Sequence, residues 1–256
     1  MTRRSSTNVN AWGYVMIRPN SATTFLSALI VVAAGCVTGT SAALVQRTGA
    51  DAAAPGAAKT TSSAWTVYVW DRFLGVLHAN APTTPAGAVA GFPLQSNMTG
   101  LLTTTSAPGL VGNLTGKSLS ATVSLAVSGS VVYGLEGSNG CSGPATMRLF
   151  ISTDRNTYSP TRAGRNETGY WWSNPFSVSL DGPVSGASIS VPLIPSDWSD
   201  ANGHFGSDAG YTAGFTAAVS NLQQVGVSFG GGCFFDTGIG VSGGSGSFTL
   251  NSIAAQ

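Results

Sequence analysis

Polar and apolar residues alternate most strictly between positions 118 and 127. Leu119, Ala121, Val123, Leu125 and Val127 fall on one side; Ser118, Ser120, Thr122 and Ser124 fall on the other. A period of two is that of a strand with one buried and one wet face. Val131-Val132-Tyr133 continues it past a bulge expected at Gly129. Shorter runs of the same kind predict strands at 65–70, at 146–152 with Met147, Leu149 and Ile151 inward, at 176–180 with Phe176, Val178 and Leu180 inward, and at 189–193 with Ile189, Val191 and Leu193 inward. Two closing strands, 222–229 and 247–253, are expected to meet across a glycine-rich loop that holds Cys233. Residues 153–169 and 197–206 have no period and read as loops.

One segment has a helical period. Tyr211, Phe215, Val219 and Leu222 are spaced by four, four and three, which makes a single apolar stripe, and Asp208 is placed to cap it. Residues 79–110 carry Pro82, Pro85, Pro93 and Pro108. They read as a long loop with short edge pieces, or as a separate N-terminal extension. The predicted fold class is all-β: an antiparallel β-sandwich, preferably a jelly roll, with one short helix near 208–222.

Composition sharpens this reading. Only 8% of residues are charged and 34 are glycine, which is too apolar for disorder and too glycine-rich for a helical protein. The formal net charge is +1 and no Lys/Arg run occurs, so nucleic acid is excluded as a partner. Arg3, Arg4 and Arg18 precede an apolar run at 25–35 that is too short to span a bilayer well. With a cleavage site at Thr40-Ser41-Ala42, residues 1–42 are predicted to be a signal peptide and the protein to be secreted, with no membrane span. An alternative is Ala33-Ala34-Gly35-Cys36 as a lipoprotein processing site, with a lipid anchor on Cys36. Residues 43–63 read as a flexible linker, 64–110 as an N-terminal strand and Pro-rich region, and 111–256 as the sandwich core, with 64–256 forming one domain. Outside the leader, Cys141 and Cys233 remain, and an even pair in an exported chain predicts a disulfide. In the chain-entropy model, closing so long a loop is worth roughly 4–5 kcal/mol.

The last third has a recognisable pattern. A short amphipathic helix leads into Val225-Gly226-Val227-Ser228-Phe229, then a glycine-rich break, then Ser247-Phe248-Thr249-Leu250. This is similar to the C-terminal end of galactose-binding-like jelly rolls, the fold of many noncatalytic carbohydrate-binding modules. More specifically, Tyr170-Trp171-Trp172-Ser173-Asn174-Pro175, Trp198-Ser199-Asp200 and Phe229-Gly230-Gly231-Gly232-Cys233-Phe234-Phe235 resemble secreted bacterial proteins without assigned function. The resemblance covers roughly residues 100–253. It implies attachment to an extracellular glycan or cell-surface polymer. The fold family often holds a structural calcium, but no acidic cluster of this chain maps onto that site. The Asp usual in the last strand of such modules is missing, with Asn251 nearest. No cofactor and no metal are therefore assigned.

Candidate chemistry lies in two places. Tyr170, Trp171 and Trp172 could stack on the apolar faces of sugar rings, and neighbours on a strand point to opposite faces, so one tryptophan is expected outward. Trp198 stands among Asp197, Asp200, Asn202 and His204, whose carboxylates and amides could bind hydroxyls; the alternative is a structured turn. Asp200, His204 and Asp208 are spaced by four, but Gly203 and Gly206 argue against a helix there, and one His with two Asp is a poor zinc set. Carboxylates are scattered through loops, and no catalytic pair or nucleophile elbow is identified. The predicted function is noncatalytic binding of carbohydrate or a cell surface. A structural or surface-interaction protein without a small ligand is the alternative, and a glycan-degrading hydrolase is third. Sequence does not set the oligomeric state.

Overall fold

The computed structural model describes residues 64–256, apart from 72–74, 82–88, 95–97, 135, 137–140, 155–168 and 233–234; for 70, 71, 75–80 and 89–93 it describes the backbone alone. The expected leader, linker and Cys36 lie outside the described residues, as does Cys233. Twelve strands are described: β1 Trp65–Asp71, β2 Gly75–Asn80, β3 Val89–Leu94, β4 Met98–Thr104, β5 Ser118–Tyr133, β6 Thr146–Ser152, β7 Tyr170–Ser173, β8 Val178–Ser179, β9 Val184–Pro192, β10 Trp198–Ser199, β11 Gln224–Gly230 and β12 Ile239–Ala255. One helix, α1 (Thr212–Ser220), lies between β10 and β11. The class is all-β with a single short helix among the described residues.

All pairings are antiparallel, and hydrogen bonds join the strands into one curled sheet. Its register divides it into two halves. In one, β4 is flanked by β1 and β11, β11 by β6, and β6 by β7. In the other, β12 lies between β5 and β3, and β5 continues to β9. Among the described residues, Ile239 opposite Thr99 is the one pair joining β12 to β4. The halves face each other over a common core. Phe229 of β11 and Phe248 of β12 meet edge to face at 4.8 Å across it.

The strict alternation of β5 comes out as expected. Leu119, Ala121, Val123 and Leu125 enter the core, and Ser120, Thr122 and Ser124 stay on the wetter face. The strand runs on through Gly129 to Tyr133 without ending. Gly129 has φ 97°, and a Cβ there would lie 2.6 Å from the Ser242 carbonyl oxygen, opposite the register shift between Ser242 and Ser245. Met147, Leu149 and Ile151 point inward, as do Ile189, Val191 and Leu193.

Four expectations are corrected. The stretch read as Pro-rich loop contains β4, a central strand. Leu101 and Leu102 are buried on opposite faces, so its sequence does not alternate. Pro93 is accommodated because, among the described strands, β3 pairs with β12 alone. The strand expected at 176–180 shrinks to Val178–Ser179, and Phe176 is 40% exposed. Pro175 offers no N–H to a ladder, and the Phe176 carbonyl is taken by the Ser173 and Arg148 side chains. The two closing strands do not form a hairpin: β11 belongs to one half and β12 to the other. Part of the loop expected at 197–206 is strand β10, which pairs Trp198 with Ser173 and Ser199 with Trp172.

Phe215 and Val219 of α1 pack into the core as the stripe predicts. The helix has no side-chain cap. Asp208 Oδ2 instead accepts from the Phe205 backbone N–H at 2.8 Å, and Leu222 is buried beyond the helix end, bridged to Gly112.

Candidate functional site

The aromatic and polar residues singled out by sequence do not converge. Trp171 and Trp198 have 0% exposure and belong to the main core. Trp171 meets the Phe215 ring edge-on at 5.1 Å, and Trp198 Nε1 donates to the Pro192 carbonyl at 2.8 Å. Asp200 is buried and its carboxylate is used locally. Oδ1 accepts from the backbone N–H groups of Asn202 and His204 at 2.8 and 2.9 Å, and Oδ2 stands 3.2 Å from His204 Nδ1. The His204 ring stacks on Tyr211 at 4.3 Å. Asp197 Oδ1 accepts from Ser196 Oγ at 2.9 Å, and Asn202 is exposed. This is a turn fastened by its own carboxylates. Among the described residues no group of three metal-ligating side chains occurs.

Tyr170 and Trp172 lie on the opposite side of the sheet, facing away from the main core. The inward residues of β6 and β11 leave their alternate neighbours on this outer face. Register aligns them in rungs. Trp172, Phe150, Gly226 and Thr103 make one; Arg148, Ser228, Leu101 and Tyr68 make the next; Tyr170, Ser152 and Gln224 lie on the other side of the first. The outer face of a sandwich sheet is ordinarily wet, yet Tyr68, Leu101, Phe150, Tyr170 and Trp172 form a second buried cluster there. The Phe150 ring lies 5.3 Å from Trp172 and 6.3 Å from Tyr170. Tyr170 Oη donates to Asp154 Oδ2 at 2.9 Å.

Polar groups set among these rings are incompletely bonded. Arg148 Nε, Trp172 Nε1, Gln224 Oε1 and Ser228 Oγ are all buried without a hydrogen-bond partner. Buried polar atoms are normally paired, and each orphan forfeits about 1–3 kcal/mol. A fifth such atom, Tyr133 Oη, lies apart, its ring against Gly231. Gln224 Nε2 does bond, to Thr103 Oγ1 at 2.6 Å. The Arg148 guanidinium donates through Nη1 to the carbonyls of Ser173 and Phe176 at 2.8 and 3.2 Å and lies 4.1 Å from the Phe235 ring centroid. Burial lowers its pKa to about 10, so it is cationic at neutral pH. The strip thus holds two N–H donors, one acceptor and one hydroxyl that can do either, buried between aromatic faces.

Arg148, Phe150, Gln224 and Ser228 were not singled out from sequence. The signal was present in the period: once Met147, Leu149, Val225 and Val227 are inward, a cation, a ring, an amide and a hydroxyl must share the other face. Gly226-Val227-Ser228-Phe229-Gly230 also fits the Gly-x-Ser-x-Gly formula of hydrolase elbows. It runs straight through β11, without the strand–turn–helix context that exposes a nucleophile.

An open groove of about 380 Å³ lies between Pro175-Phe176-Ser177 and Ser188-Ile189-Ser190 and carries no charged group. No helix among the described residues is long and apolar enough to cross a membrane. No protein-family model matches this chain, and no curated protein matches it.

Proposed function

We propose that the protein is a secreted, noncatalytic carbohydrate-binding β-sandwich of the galactose-binding-like jelly-roll kind, and that the aromatic strip on the outer face of β6, β7 and β11 is its binding surface. The observation that carries this reading is the set of four unpartnered buried polar atoms, on Arg148, Trp172, Gln224 and Ser228. Sugar hydroxyls both donate and accept, and the C–H faces of sugar rings pack on aromatic planes. A saccharide is therefore the class of ligand that uses both halves of the strip. Among the described residues, the Asp154 carboxylate reaches the strip through Tyr170.

A crosslink between Cys141 and Cys233 belongs to the same proposal. Its support is proximity: a Cβ on Gly232, next to Cys233, would lie 3.6 Å from the carbonyl oxygen of Ser142, next to Cys141.

A glycan array followed by calorimetry tests the binding reading. Trp172→Phe keeps a ring and removes the N–H, so it is expected to weaken binding about tenfold while leaving the fold intact. Unchanged affinity in Trp172→Phe and Gln224→Leu, or no bound glycan at all, removes the strip as a binding surface.

A further inference from the structure

We infer that the strip takes an acidic saccharide, holding a uronate carboxylate on the Nε/Nη2 edge of Arg148. This rests on the binding reading above and names the class of ligand for the same site. A neutral polyol would satisfy orphan donors and acceptors, but it would leave a buried charge uncompensated.

Arg148 is 6% exposed, in a chain with few charges. It makes no ion pair with any described residue, and burial lowers its pKa. Buried charges are ordinarily paired, because desolvation is unfavourable without a counter-charge. Both carbonyl contacts use Nη1. That fixes the plane of the guanidinium and leaves Nε–H, one arm of the side-on fork, buried without an acceptor. This fork is the one that matches a carboxylate in bidentate fashion.

The surroundings also favour an anion. Ser228 Oγ, directly across from Arg148 in the β6–β11 register, is unpartnered and can donate. Trp172 Nε1 adds another unpartnered donor on the neighbouring rung, and Gln224 Oε1 is the single obligate acceptor. Donors therefore outnumber acceptors, as an anionic oxygen pair requires. Phe235, itself only partly buried, lies over the guanidinium.

The test is calorimetric titration of the full exported chain with oligogalacturonate and with a neutral galacto-oligosaccharide of equal length, at low and at high salt. The uronate is expected to bind at least tenfold more tightly at low salt. Arg148→Met is expected to abolish that preference while still binding the neutral sugar, and Arg148→Lys, which keeps the charge and loses the fork, to retain only part of it. Ser228→Ala is expected to reduce uronate affinity by a few-fold, and it decides the matter should Arg148→Met not fold. Equal affinity for the two sugars, or an undiminished uronate preference in Arg148→Lys and Ser228→Ala, overturns the acidic assignment and leaves the strip as a neutral-sugar site. Binding of neither sugar overturns the acidic assignment; the wider glycan array then decides the binding reading separately.

Discussion

Ser228 stands directly across from Arg148 on adjacent strands, and each keeps a buried polar atom without a partner. Two neighbouring orphans on one sheet face are unfavourable for the free protein. Their retention in a sandwich otherwise built from alternating strands is what singles out this face.

The first prediction follows from that imbalance. Ser228→Ala removes an unsatisfied hydroxyl and leaves no new cavity of consequence. The free protein is expected to be as stable as wild type or more so, by about 1 kcal/mol, with weaker ligand binding. Paired thermal melts and titrations check both halves. A clear loss of stability would show that the hydroxyl is bonded in solution.

Trp171 and Trp172 are adjacent in sequence but serve different faces. Trp171→Ala opens a cavity in the main core beside Phe215 and is expected to destabilise by about 3–5 kcal/mol, read as a lower denaturant midpoint. Trp172→Phe is expected to leave the midpoint within about 1 kcal/mol of wild type. Equal losses in the two variants would contradict the division into faces.

Gly226 lies where β11 runs close against β4. A Cβ there would lie 2.1 Å from the Leu102 carbonyl oxygen, a backbone atom that cannot give way without breaking the ladder. Gly226→Ala is expected to prevent folding to a soluble product, whereas Gly182→Ala, where a Cβ meets nothing within 4 Å, is expected to be neutral. Yields of soluble protein separate the two.

Alkaline pH offers a test of the buried cation. Burial lowers the folded pKa of Arg148 to about 10, so below pH 10 the folded state bears the full penalty of burying the charge. Above about pH 10 the unfolded chain binds more protons than the folded one, and this group's contribution to stability rises with pH. The difference in melting temperature between Arg148→Met and wild type is therefore expected to shrink above pH 10. A constant difference across that range would show that the guanidinium is not desolvated.

The proposed crosslink is tested by peptide mass mapping of protein folded under oxidising conditions. A Cys141–Cys233 disulfide peptide is expected, and reduction is expected to destabilise by up to roughly 4–5 kcal/mol. Recovery of both cysteines as free thiols would contradict it.

How far the fold was legible follows from which faces are buried. β5 has one wet face, so its serines and threonines announce it. β4 is buried on both faces, and Met98-Thr99-Gly100-Leu101-Leu102-Thr103-Thr104 carries no alternation that could place it at the centre of a half-sheet. Phe176 looked inward because its neighbours Val178 and Leu180 do, yet Pro175 and the side chains of Ser173 and Arg148 end the ladder there. For the site, the polar cluster around Asp200 was conspicuous because its residues are close in sequence, and those same residues satisfy one another. The strip was inconspicuous because Tyr68, Arg148, Trp172 and Ser228 come from four separate strands. Only register brings them together.

The most direct test of the central claim is the indole N–H spectrum of the folded protein during titration with oligogalacturonate. Trp172 Nε1 lacks a protein acceptor, whereas Trp198 Nε1 is held by Pro192. The account predicts that the Trp172 resonance, assigned through its loss in Trp172→Phe, moves downfield and saturates with the ligand while Trp171 and Trp198 stay in place. A Trp172 resonance that does not move at saturating uronate and neutral sugar would contradict it.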